Sequence, residues 1–396
     1  MMDQKKHILL GVTGGIAAYK SCELVRLLTK AGHKVTTVMT HSATQFIHPN
    51  TFQALSNQPV YTELWAEQLS NGMAHIQLTR EADIFLIAPA STNTLAKLAN
   101  GICDNLITNL ALARTCPLAV APAMNTQMWL SAPNQRNIEQ LKKDGVTIFG
   151  PAQGELACGE VGAGRMLEAE ELFELLPDLW TEKKLLDKKI MITAGSTYEA
   201  IDPVRGITNI SSGKMGIALA KACRNAGAQV TLVLGKTSEK VPLNMNKTIH
   251  TESAESMFQA VKQEVTHCDI FISVAAVADY RIKNKSLQKI KKNHDKEVPI
   301  LELEQNQDIL SFVSHLPNPP FCVGFAAESE HLLENARKKK AKKGIPMLIA
   351  NLVQTAMSSE NNQVIILDQS DSETILPLMH KDDTAKVIIN HLSQLI

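Results

Sequence analysis

A single cysteine lies in a glycine-rich stretch that could present a thiol to a bound substrate. The stretch GELACGEVGAGRM covers residues 154–166 and contains one thiol, that of Cys158. A free thiol has a pKa of about 8.5, so it is protonated at neutral pH and can donate that proton. Glycines disfavour both helix and strand, so a mobile loop or flap is predicted, which would admit substrate and then exclude water. The alternative is a buried, inert cysteine.

Two further polar side chains lie in segments that could border the same site. His75, in MAHI, is expected near the start of a helix and is one of twelve histidines. Asn125, in APAMNTQMW, follows an apolar strand and a proline. Asparagine at such a place commonly serves only as a turn residue, so these residues alone do not define a reaction.

A strand-to-helix turn near the N-terminus could bind a mononucleotide. GVTGG places Gly14 and Gly15 where backbone N–H groups can meet a phosphate or a ring edge. Its glycines do not form G-x-G-x-x-G, and Thr40 follows the second strand where an NAD-binding fold has Asp or Glu. This disfavours a dinucleotide. A glycine turn that serves only tight packing is the alternative.

A second helix start offers hydroxyl groups to a phosphate. APASTNT places Ser91, Thr92 and Asn93 directly after a strand. Their hydroxyls, amide and backbone N–H groups suit a phosphate monoester. Ordinary capping of the helix explains the same residues equally well.

A glycine- and hydroxyl-rich segment of the C-terminal half resembles a P-loop only superficially. It reads ITAGSTYEAIDPVRGITNISSGKMG, residues 192–216. Thr208 stands where G-x-x-x-x-G-K requires glycine, and Met215 replaces the final Ser or Thr. A nucleotide could bind here, but not in the Walker manner. Asp279 follows the strand FISVAAVA, where a carboxylate could hold Mg²⁺ or could merely cap a loop.

Two lysine runs offer cations for a triphosphate. KIKK, residues 289–292, begins with Lys289, and RKKKAKK, residues 337–343, includes Lys339 and Lys343. The latter two are four residues apart on a predicted helix and so face the same way. Each run could equally be a solvated, charged segment.

The elements that must position these groups alternate between strand and helix in both halves of the chain. HILLGV, HKVTTVM, ADIFLIAPAS and PLAVAPAMN are predicted strands of the first half; KIMITAG, QVTLVLG, DIFISVAAV, FCVGFAAE and PMLIANLV are predicted strands of the second. This pattern predicts an α/β protein with two tandem open parallel sheets of the Rossmann-like kind. A charged, proline-containing segment separates them, so domains are predicted at residues 1–190 and 191–396.

The bulk composition excludes several classes of protein. Lys+Arg and Asp+Glu both number 40 and aromatic residues make up 4%, which argues against nucleic acid as a partner. No apolar run approaches the roughly 20 residues that span a bilayer. The seven cysteines form no C-x-x-C and no Cys/His cluster, so neither structural zinc nor a disulfide framework is expected. Free thiols indicate a reducing cytoplasm.

Taken in order, GVTGGIAAYK, MAHI, APASTNT, PAMNTQMW and ACGEVGAGRM resemble the flavin-dependent cysteine decarboxylases of the 4'-phosphopantothenoylcysteine decarboxylase family. The resemblance spans almost the whole first half and implies a flavodoxin-like flavoprotein that binds FMN. The implied FMN contacts are Gly14, Gly15, Ile16, Thr40, Ser91, Thr92, Asn93, Thr94, Ala123 and Met124.

The resemblance also implies roles for the three polar side chains of this half. FMN would supply the electron sink that loss of CO₂ requires, through oxidation of the substrate thiol. His75 would accept a proton during that oxidation, and Asn125 would hold the substrate carboxylate. Cys158 would return a proton after CO₂ has left.

In the second half, GSTYEAIDPVR, TNISSGKMG, AAVADY, KIKK, NQDIL and VGFAAES resemble the CTP-using bacterial phosphopantothenate–cysteine ligases. Gln307 stands where the family commonly has proline. This difference affects only the expected fine positioning of the nucleotide. Arg205 and Ala276 would contact substrate, Asn209 would hold the acyl-nucleotide, and Asp279 would also hold Mg²⁺. The implied nucleotide contacts are Ser273, Val274, Ala275, Asp279, Lys289, Gln307, Asp308, Ile309, Leu310, Phe325, Lys339 and Lys343.

The order of the two halves resembles that of the fused bifunctional enzymes of coenzyme A biosynthesis. It implies CTP-dependent condensation of 4'-phosphopantothenate with cysteine through an acyl-cytidylate, then decarboxylation to 4'-phosphopantetheine. It also implies a homo-oligomer with trimeric decarboxylase and dimeric ligase halves, for which a dodecamer satisfies both symmetries. The alternatives are a flavin-dependent transferase such as a prenyl transferase, a non-catalytic flavoprotein partner, and a nucleotide-dependent reductase in the second half. ACGEVGAGRM and the missing dinucleotide pattern disfavour them.

Overall fold

The chain divides into two compact units, Met1–Trp180 and Thr181–Ile396. The computed structural model describes residues 5–63, 74–156, 159–291, 300–328, 330–352, 359–370 and 372–396, without the side chains of residues 74–76 and 352. The assignment of separate activities to residues 1–190 and 191–396 stays a prediction. No helix in the described ranges is both long and apolar enough to cross a membrane.

A parallel sheet of six strands forms the centre of the first unit. Its strands are β1 His7–Val12, β2 Lys34–Met39, β3 Val60–Tyr61, β4 Ile84–Ala90, β5 Leu118–Pro122 and β6 Thr147–Ile148. They lie in the order β3-β2-β1-β4-β5-β6 with every neighbouring pair parallel. β1 and β4 are buried along their whole length, as expected for continuous apolar runs covered on both faces.

Helices follow the strands of this first sheet, and a small hairpin follows the last. The helices are α1 Ala18–Lys30, α2 His41–Thr44, α3 Pro49–Ser56, α4 Ala74–Glu81, α5 Thr92–Ala99, α6 Leu106–Ala113, α7 Thr126–Leu130, α8 Ala132–Lys143 and α9 Ala169–Leu175, with a 3₁₀ turn at Leu176–Leu179. The hairpin pairs β7 Ala152–Glu155 with β8 Val161–Arg165.

This hairpin corrects the expectation that residues 154–166 make a poor strand. Gly154 and Gly164 take φ values of +149° and +140°, which side chains rarely adopt. A Cβ on Gly164 would overlap the carbonyl oxygen of Met124, so glycine lets the strand approach that loop closely. Antiparallel pairing and close packing therefore outweigh the low strand propensity of the glycines. Cys158 lies outside the described residues.

The second unit has a mixed sheet of eight strands with a parallel core. The strands of the unit are β9 Lys189–Ala194, β10 Tyr198–Ala200, β11 Gly206–Thr208, β12 Gln229–Leu234, β13 Lys247–His250, β14 Ile270–Ser273, β15 Tyr280–Ile282, β16 Leu303–Gln305, β17 Phe321–Glu328, β18 Met347–Leu352, β19 Asn361–Asn362, β20 Val364–Leu367, β21 Glu373–Ile375 and β22 Met379–His380. The large sheet runs β13-β12-β9-β14-β17-β18-β20-β21, and only β20 and β21 are antiparallel to their neighbours. Three two-stranded ladders, β10-β11, β15-β16 and β19-β22, complete it.

Helices cover both faces of this larger sheet. They are α10 Lys214–Asn225, α11 Ala254–Glu264, α12 Ile309–Ser314, α13 Leu332–Lys343 and α14 Lys381–Leu392, with a 3₁₀ turn at Val265–His267. α10 and α14 pack against each other. Ile217, Leu219 and Cys223 of α10 and Ile388 of α14 belong to one apolar core with the sheet.

Both sheets reverse their strand order at the same place. In each, the first strand lies beside the fourth parallel strand, β1 beside β4 and β9 beside β14. Ligands of open α/β sheets bind outside the carboxyl ends of the strands at such a switch point. The prediction of two tandem Rossmann-like units is confirmed. The flavodoxin-like order predicted for the first unit, 2-1-3-4-5, is wrong: β3 lies outside β2 and β4 lies beside β1, which gives the 3-2-1-4-5-6 order of dinucleotide-binding folds.

Candidate functional sites

The switch point of the first sheet brings together the segments predicted to bind a cofactor. Gly14 and Gly15 follow β1, and Ser91 follows β4. The Thr13 hydroxyl donates to the Pro89 carbonyl oxygen at 2.8 Å and accepts from the Ser91 backbone N–H at 2.9 Å. The two strand ends are therefore held together by one buried threonine that the sequence analysis did not single out.

The two glycines of the first turn differ in their surroundings. A Cβ on Gly14 would lie 2.5 Å from the Ser42 Cβ, whereas a Cβ on Gly15 would meet no atom of the described residues within 4 Å. Ile16, the next residue, is 62% exposed. Gly14 is thus required by packing, and Gly15 and Ile16 leave room for a ligand.

The start of α5 supplies donors that fit a phosphate. Ser91 caps the helix, and its hydroxyl accepts from the Thr94 N–H at 3.4 Å. The first-turn N–H groups of a helix lack partners within it and carry its positive dipole end. The Thr92 hydroxyl lies 3.2 Å from the Met124 sulfur, and Asn93 is exposed. Hydroxyls and backbone donors here suit a phosphate monoester.

The remaining predicted contacts lie on neighbouring loops. Thr40 caps α2, and its hydroxyl accepts from the Ala43 N–H at 3.2 Å. The Ala123 N–H donates to the Ala90 carbonyl oxygen at 3.2 Å, which places the Ala123–Met124 loop beside the end of β4. All the predicted cofactor contacts of this unit lie on segments that leave the carboxyl ends of β1, β2, β4 and β5.

Asn125 already holds a carboxylate in this structure. Its Oδ1 accepts from the N–H groups of Gln127 at 2.7 Å and Met128 at 3.3 Å, which caps α7. Its Nδ2 donates to Glu160 Oε2 at 2.6 Å, and Glu160 belongs to the glycine-rich stretch. The capping bonds fix the direction of the amide, and the amide N–H is the group that meets the carboxylate.

A buried lysine ties the base of the hairpin to α1. Lys20 Nζ donates to the Met166 carbonyl oxygen at 2.9 Å and to Glu168 Oε1 at 2.8 Å, and its side chain is 7% exposed. Arg165 Nη2 lies 3.5 Å from the same Glu168 oxygen. Lys20 was not predicted from the sequence; its signal is a cation on the face of α1 that also carries the buried Ala18, Ser21 and Leu24.

Two predicted catalytic residues of this unit are not located in full. Cys158 lies outside the described residues, between β7 and β8. His75 lies in the first turn of α4, but its side chain is outside the described part of the structure. Their roles stay predictions.

The second unit has a cavity of about 770 Å³ at the carboxyl ends of β9, β14 and β17. It collects most of the residues predicted there from the sequence. Those that line it are Asn209, Ser273, Val274, Ala275, Ala276, Asp279, Gln307, Asp308, Ile309, Leu310, Phe325, Lys339 and Lys343. These residues lie together because the parallel strands all end at the same edge of the sheet, which brings segments that are far apart in sequence close in space.

One end of the cavity, formed by Asp279, Asp308, Phe325, Lys339 and Lys343, combines two lysines with two carboxylates. Lys339 Nζ donates to the Phe325 carbonyl oxygen at 3.1 Å, and Lys343 forms an ion pair with Asp308. Burial lowers the pKa of both lysines, and the negative charge of Asp279 opposes that shift. We call this region the nucleotide end.

The walls next to the nucleotide end are held by backbone hydrogen bonds. Asn209 Nδ2 donates to the Val277 carbonyl oxygen at 3.0 Å, so its amide is fixed against the segment after β14. The Ala276 N–H donates to the Gly195 carbonyl oxygen at 2.8 Å. Asn306, which the sequence analysis missed, donates to the Ala278 carbonyl oxygen at 2.9 Å, while its buried Oδ1 has no partner among the described residues.

Arg205 and Lys289 are not among the described residues that line the cavity. Arg205 is bound by Asp202, with Arg205 Nε 3.0 Å from Asp202 Oδ2, and also donates to the Ile290 carbonyl oxygen at 2.7 Å. The Ile290 N–H donates to the same carboxylate oxygen at 3.1 Å. The Arg205 guanidinium, together with the backbone N–H groups of Val204, Ile290 and Arg205, holds the pKa of Asp202 well below its usual range.

Asp202 therefore connects the two basic residues that lie outside the cavity lining. Its buried carboxylate fixes Arg205 directly and fixes Lys289 through the neighbouring Ile290. Asp202 was not predicted from the sequence; its signal is an acidic residue three positions before Arg205 in DPVR. Lys292, the last residue of KIKK, lies outside the described residues. The roles predicted for Arg205 and Lys289 stay predictions.

No group of three or more His, Cys, Asp or Glu side chains suited to a metal ion occurs in the described ranges. Mg²⁺ is commonly held by one or two carboxylates together with the phosphates of a bound nucleotide. Asp279 and Asp308 at the nucleotide end fit that arrangement and not a preformed all-protein cage.

Family models match both parts of the chain. A model described as Flavoprotein matches residues 1–180, and one described as DNA/pantothenate metabolism flavoprotein C-terminal domain matches residues 185–396. The chain is similar to the coenzyme A biosynthesis bifunctional protein CoaBC of Vibrio vulnificus (strain CMCP6), with 46% identity over 99% of this chain and 98% of the relative. The protein of the same name from Escherichia coli (strain K12) is 39% identical over 98% of this chain and 96% of the relative.

Among solved structures, the crystal structure of the C-terminal domain of a coenzyme A biosynthesis bifunctional protein CoaBC is 36% identical. It covers 54% of this chain and 98% of its own, with a TM-score of 0.47.

Proposed function

The chain belongs to the family of bifunctional coenzyme A biosynthesis proteins. On this basis we propose which nucleotide, metal ion and cofactor its two reactions use and which residues carry out each reaction. The protein is an enzyme with a phosphopantothenate–cysteine ligase and a phosphopantothenoylcysteine decarboxylase activity. The ligase uses CTP and Mg²⁺, and the decarboxylase uses FMN.

The ligase reaction takes place in the cavity of the second unit. Lys339 and Lys343 bind the triphosphate, and Asp279 would hold Mg²⁺, which supplies positive charge to the phosphates. The substrate carboxylate attacks the α-phosphorus of CTP, which gives the acyl-cytidylate and releases pyrophosphate. Lys289 neutralises charge on the departing pyrophosphate, and such contacts act mainly in the transition state. The cysteine amine then attacks the acyl carbon, CMP leaves, and Asn209 holds the acyl group.

The observation that carries the ligase proposal is the nucleotide end. Two lysines with lowered pKa, two carboxylates and the β14 strand end line one cavity of about 770 Å³. The volume lies within the range of pockets that enclose small ligands, about 300–1,000 Å³.

Pyrophosphate release tests this assignment. The full chain is incubated with 4'-phosphopantothenate, Mg²⁺ and either CTP or ATP, with and without cysteine, and products are identified by mass. We expect pyrophosphate with CTP even without cysteine, and the amide only with it. Lys289→Gln should lose pyrophosphate release, whereas Lys285→Gln, an exposed lysine of the same segment, should keep it. Equal rates with ATP would contradict the choice of CTP.

The decarboxylase reaction takes place at the switch point of the first sheet. The open space at Gly15, the donors at the start of α5 and the hydroxyl of Thr92 fit a flavin mononucleotide. When bound, FMN supplies the electron sink for loss of CO₂. Asn125 holds the substrate carboxylate through Nδ2, the atom that now donates to Glu160. His75 accepts a proton early in the reaction, and Cys158 donates one after CO₂ has left.

Replacement of the thiol separates these steps. Cys158→Ser should keep the yellow colour and release CO₂, but an oxidised, decarboxylated product should accumulate in place of 4'-phosphopantetheine. Cys103→Ser is the matched control, because Cys103 is a free, exposed thiol of the same unit. A normal yield of 4'-phosphopantetheine from Cys158→Ser would refute the role of the thiol.

We also propose a cytoplasmic homo-oligomer. The six described cysteines are free, as a reducing compartment maintains them. Large apolar side chains are exposed around β10-β11 and β15-β16, which fits contact with a second copy; they are Val204, Ile210, Leu287 and Leu303. Light scattering of the full chain measures the assembly: a dodecamer is expected, and a monomer would contradict it.

A further inference from the structure

A carboxylate of the protein occupies the amide group to which the carboxylate of the decarboxylase substrate is assigned. Glu160 directly precedes β8 of the hairpin. Asn125 Nδ2 donates to Glu160 Oε2 at 2.6 Å. A hydrogen bond to an ionised carboxylate is stronger than one to a neutral oxygen. Any other carboxylate that uses this amide must therefore compete with Glu160.

The Asn125 amide can bind an anion in only one orientation. Its Oδ1 accepts from the backbone N–H groups of Gln127 at 2.7 Å and Met128 at 3.3 Å. Turning the amide over would aim its own N–H groups at these two donors and would remove their acceptor. Nδ2 is thus the atom that meets a carboxylate, whether that carboxylate belongs to the protein or to a ligand.

The backbone of the hairpin holds Glu160 beside this amide. The Leu156 N–H donates to the Glu160 carbonyl oxygen at 2.8 Å. Four residues after Glu160, the Gly164 carbonyl oxygen accepts from the N–H of Met124, the residue before Asn125, at 2.9 Å. These main-chain hydrogen bonds keep Glu160 in place without help from its side chain.

The side chain of Glu160 can leave the amide while the main chain stays in place. Glu160 is exposed, so water can replace the hydrogen bond when its carboxylate turns away from Asn125. A fixed main chain with an exposed side chain is the arrangement that an exchange of carboxylates requires.

Two carboxylates do not share this amide favourably. The amide is neutral, and two carboxylates bound to one nitrogen would lie close enough for their like charges to repel. An incoming carboxylate therefore displaces Glu160 and does not bind beside it. A ligand without a carboxylate has no group that competes for Nδ2, so it leaves the contact between Asn125 and Glu160 intact.

We propose that Glu160 is an internal competitor for the substrate carboxylate at Asn125. It occupies Nδ2 while the site holds no substrate, it is displaced when the substrate carboxylate binds, and it returns after CO₂ has left. This inference rests on the proposed decarboxylase function, because it concerns the substrate of that site. Glu160 acts through Asn125 and is a positioning residue. It lowers the affinity for ligands that carry the carboxylate and leaves the affinity for decarboxylated ligands unchanged.

Two compounds that differ only in the carboxylate test the proposal. The first is 4'-phosphopantothenoylserine, in which a hydroxyl replaces the substrate thiol. The second is the amide of 4'-phosphopantothenate with ethanolamine, which has the same hydroxyl and lacks the carboxylate. Each compound is titrated into the yellow, full-length holoenzyme, and the change in the visible spectrum of FMN gives the dissociation constant. This spectrum reports the first unit even if the second unit binds the same compounds.

Glu160→Gln and Glu160→Ala should each bind the serine compound about 3- to 10-fold more tightly than wild type, because the competing hydrogen bond is weakened or lost. The ethanolamine compound should bind to both variants as it binds to wild type. Glu155→Gln is the matched control, because Glu155 is an exposed glutamate of β7 in the same hairpin, and it should change neither affinity. The decisive quantity is the ratio of the two dissociation constants, since a purely structural role would shift both together.

The proposal is overturned if this ratio stays at its wild-type value or if the variants bind the serine compound more weakly. Glu160→Gln keeps the size of the side chain and Glu160→Ala removes it, so one variant decides the question if thermal unfolding shows that the other fails to fold. Loss of the fold or of FMN in both variants also overturns the proposal, because a contact that substrate displaces cannot be required for folding.

Formation of 4'-phosphopantetheine from 4'-phosphopantothenoylcysteine separates this proposal from the decarboxylase assignment. If the Glu160 variants bind the serine compound selectively more tightly but wild type forms no 4'-phosphopantetheine, the decarboxylase assignment is wrong and the role of Glu160 stands. If wild type forms 4'-phosphopantetheine but the ratio of dissociation constants does not change in the variants, the decarboxylase assignment stands and the role of Glu160 is wrong. If neither compound changes the spectrum of any of these proteins, the role of Glu160 is wrong, and product formation alone decides the decarboxylase assignment.

Discussion

Gly164→Ala tests whether the glycine-rich hairpin must dock closely against the loop that holds Asn125. A Cβ on Gly164 would overlap the Met124 carbonyl oxygen and would lie 3.3 Å from its carbonyl carbon. Both are backbone atoms, so neither can rotate away. The same approach carries the hydrogen bond from the Met124 N–H to the Gly164 carbonyl oxygen at 2.9 Å.

Gly159→Ala is the matched control for this change. Gly159 lies in the same stretch and also has a positive φ of +83°, but a Cβ there meets no atom within 4 Å in the part of the chain that the structure describes. Both variants carry backbone strain of about 1–3 kcal/mol. Only Gly164→Ala adds overpacking, about 1–3 kcal/mol, and loss of the hydrogen bond, about 1 kcal/mol. Gly164→Ala is therefore expected to be less stable than Gly159→Ala by about 2–4 kcal/mol in the free energy of unfolding.

Thermal unfolding of the full chain, followed by release of flavin fluorescence, reports the first unit. At about 2–4 °C per kcal/mol for a domain of this size, Gly164→Ala should unfold about 4–16 °C below Gly159→Ala. Formation of 4'-phosphopantetheine should fall with it, because the hairpin and Asn125 lose their fixed separation. Equal unfolding midpoints and equal turnover in the two variants would refute the claim that close docking positions the hairpin.

Three further predictions concern the two sites. Burial lowers the pKa of Lys339, so its charge is lost at lower pH than for an ordinary lysine; the KM for CTP should rise with alkaline pH in wild type, and Lys339→Arg should flatten that rise in a pH series. Asp202→Asn should reduce pyrophosphate release, and adding Lys289→Gln should reduce it no further than Lys289→Gln alone; additive losses would show that the two residues act separately. Gly14→Ala should lower the unfolding midpoint, because its Cβ would clash with Ser42 at a cost of about 1–3 kcal/mol. Gly15→Ala should leave the midpoint of the flavin-free protein unchanged, but this variant should retain less flavin after gel filtration.

The parallel strands could be predicted from the sequence because burial on both faces leaves a simple signal. β1 and β4 are continuous apolar runs, and their observed bounds agree with HILLGV and with the middle of ADIFLIAPAS. The antiparallel β20 and β21 were not predicted, since they are strands of four and three residues at a sheet edge and carry too few positions for a pattern. The glycine-rich hairpin was missed because tertiary packing, and not local propensity, decides it.

The site residues show the same division between local and long-range signals. Asp279 and Ser91 follow apolar strands, so the rule for carboxyl ends of parallel strands indicated their location. Lys214, Asn362 and Lys381, which also line the cavity of the second unit, carry no such signal, because each begins a helix or lies on a strand of two residues. Only the three-dimensional packing of α10 against α14 places them in one cavity. Asp202 was missed for a related reason, since its partner Ile290 is 88 residues away.

The buried Lys20 also fixes where the hairpin can bend. Swinging the hairpin from its base would separate Lys20 from the Met166 carbonyl oxygen and from Glu168, leaving an ammonium group that is 7% exposed without either partner. Glu168 is 44% exposed, but losing the charge-assisted hydrogen bond from the buried ammonium group to the Met166 carbonyl oxygen costs about 1.5–3 kcal/mol, so such a state would be populated in fewer than about one molecule in 10. The stretch from Met166 onward is therefore an anchored pivot. The predicted opening and closing of the hairpin would therefore be confined to the residues before Met166, with a reach set by the length of β7 and β8.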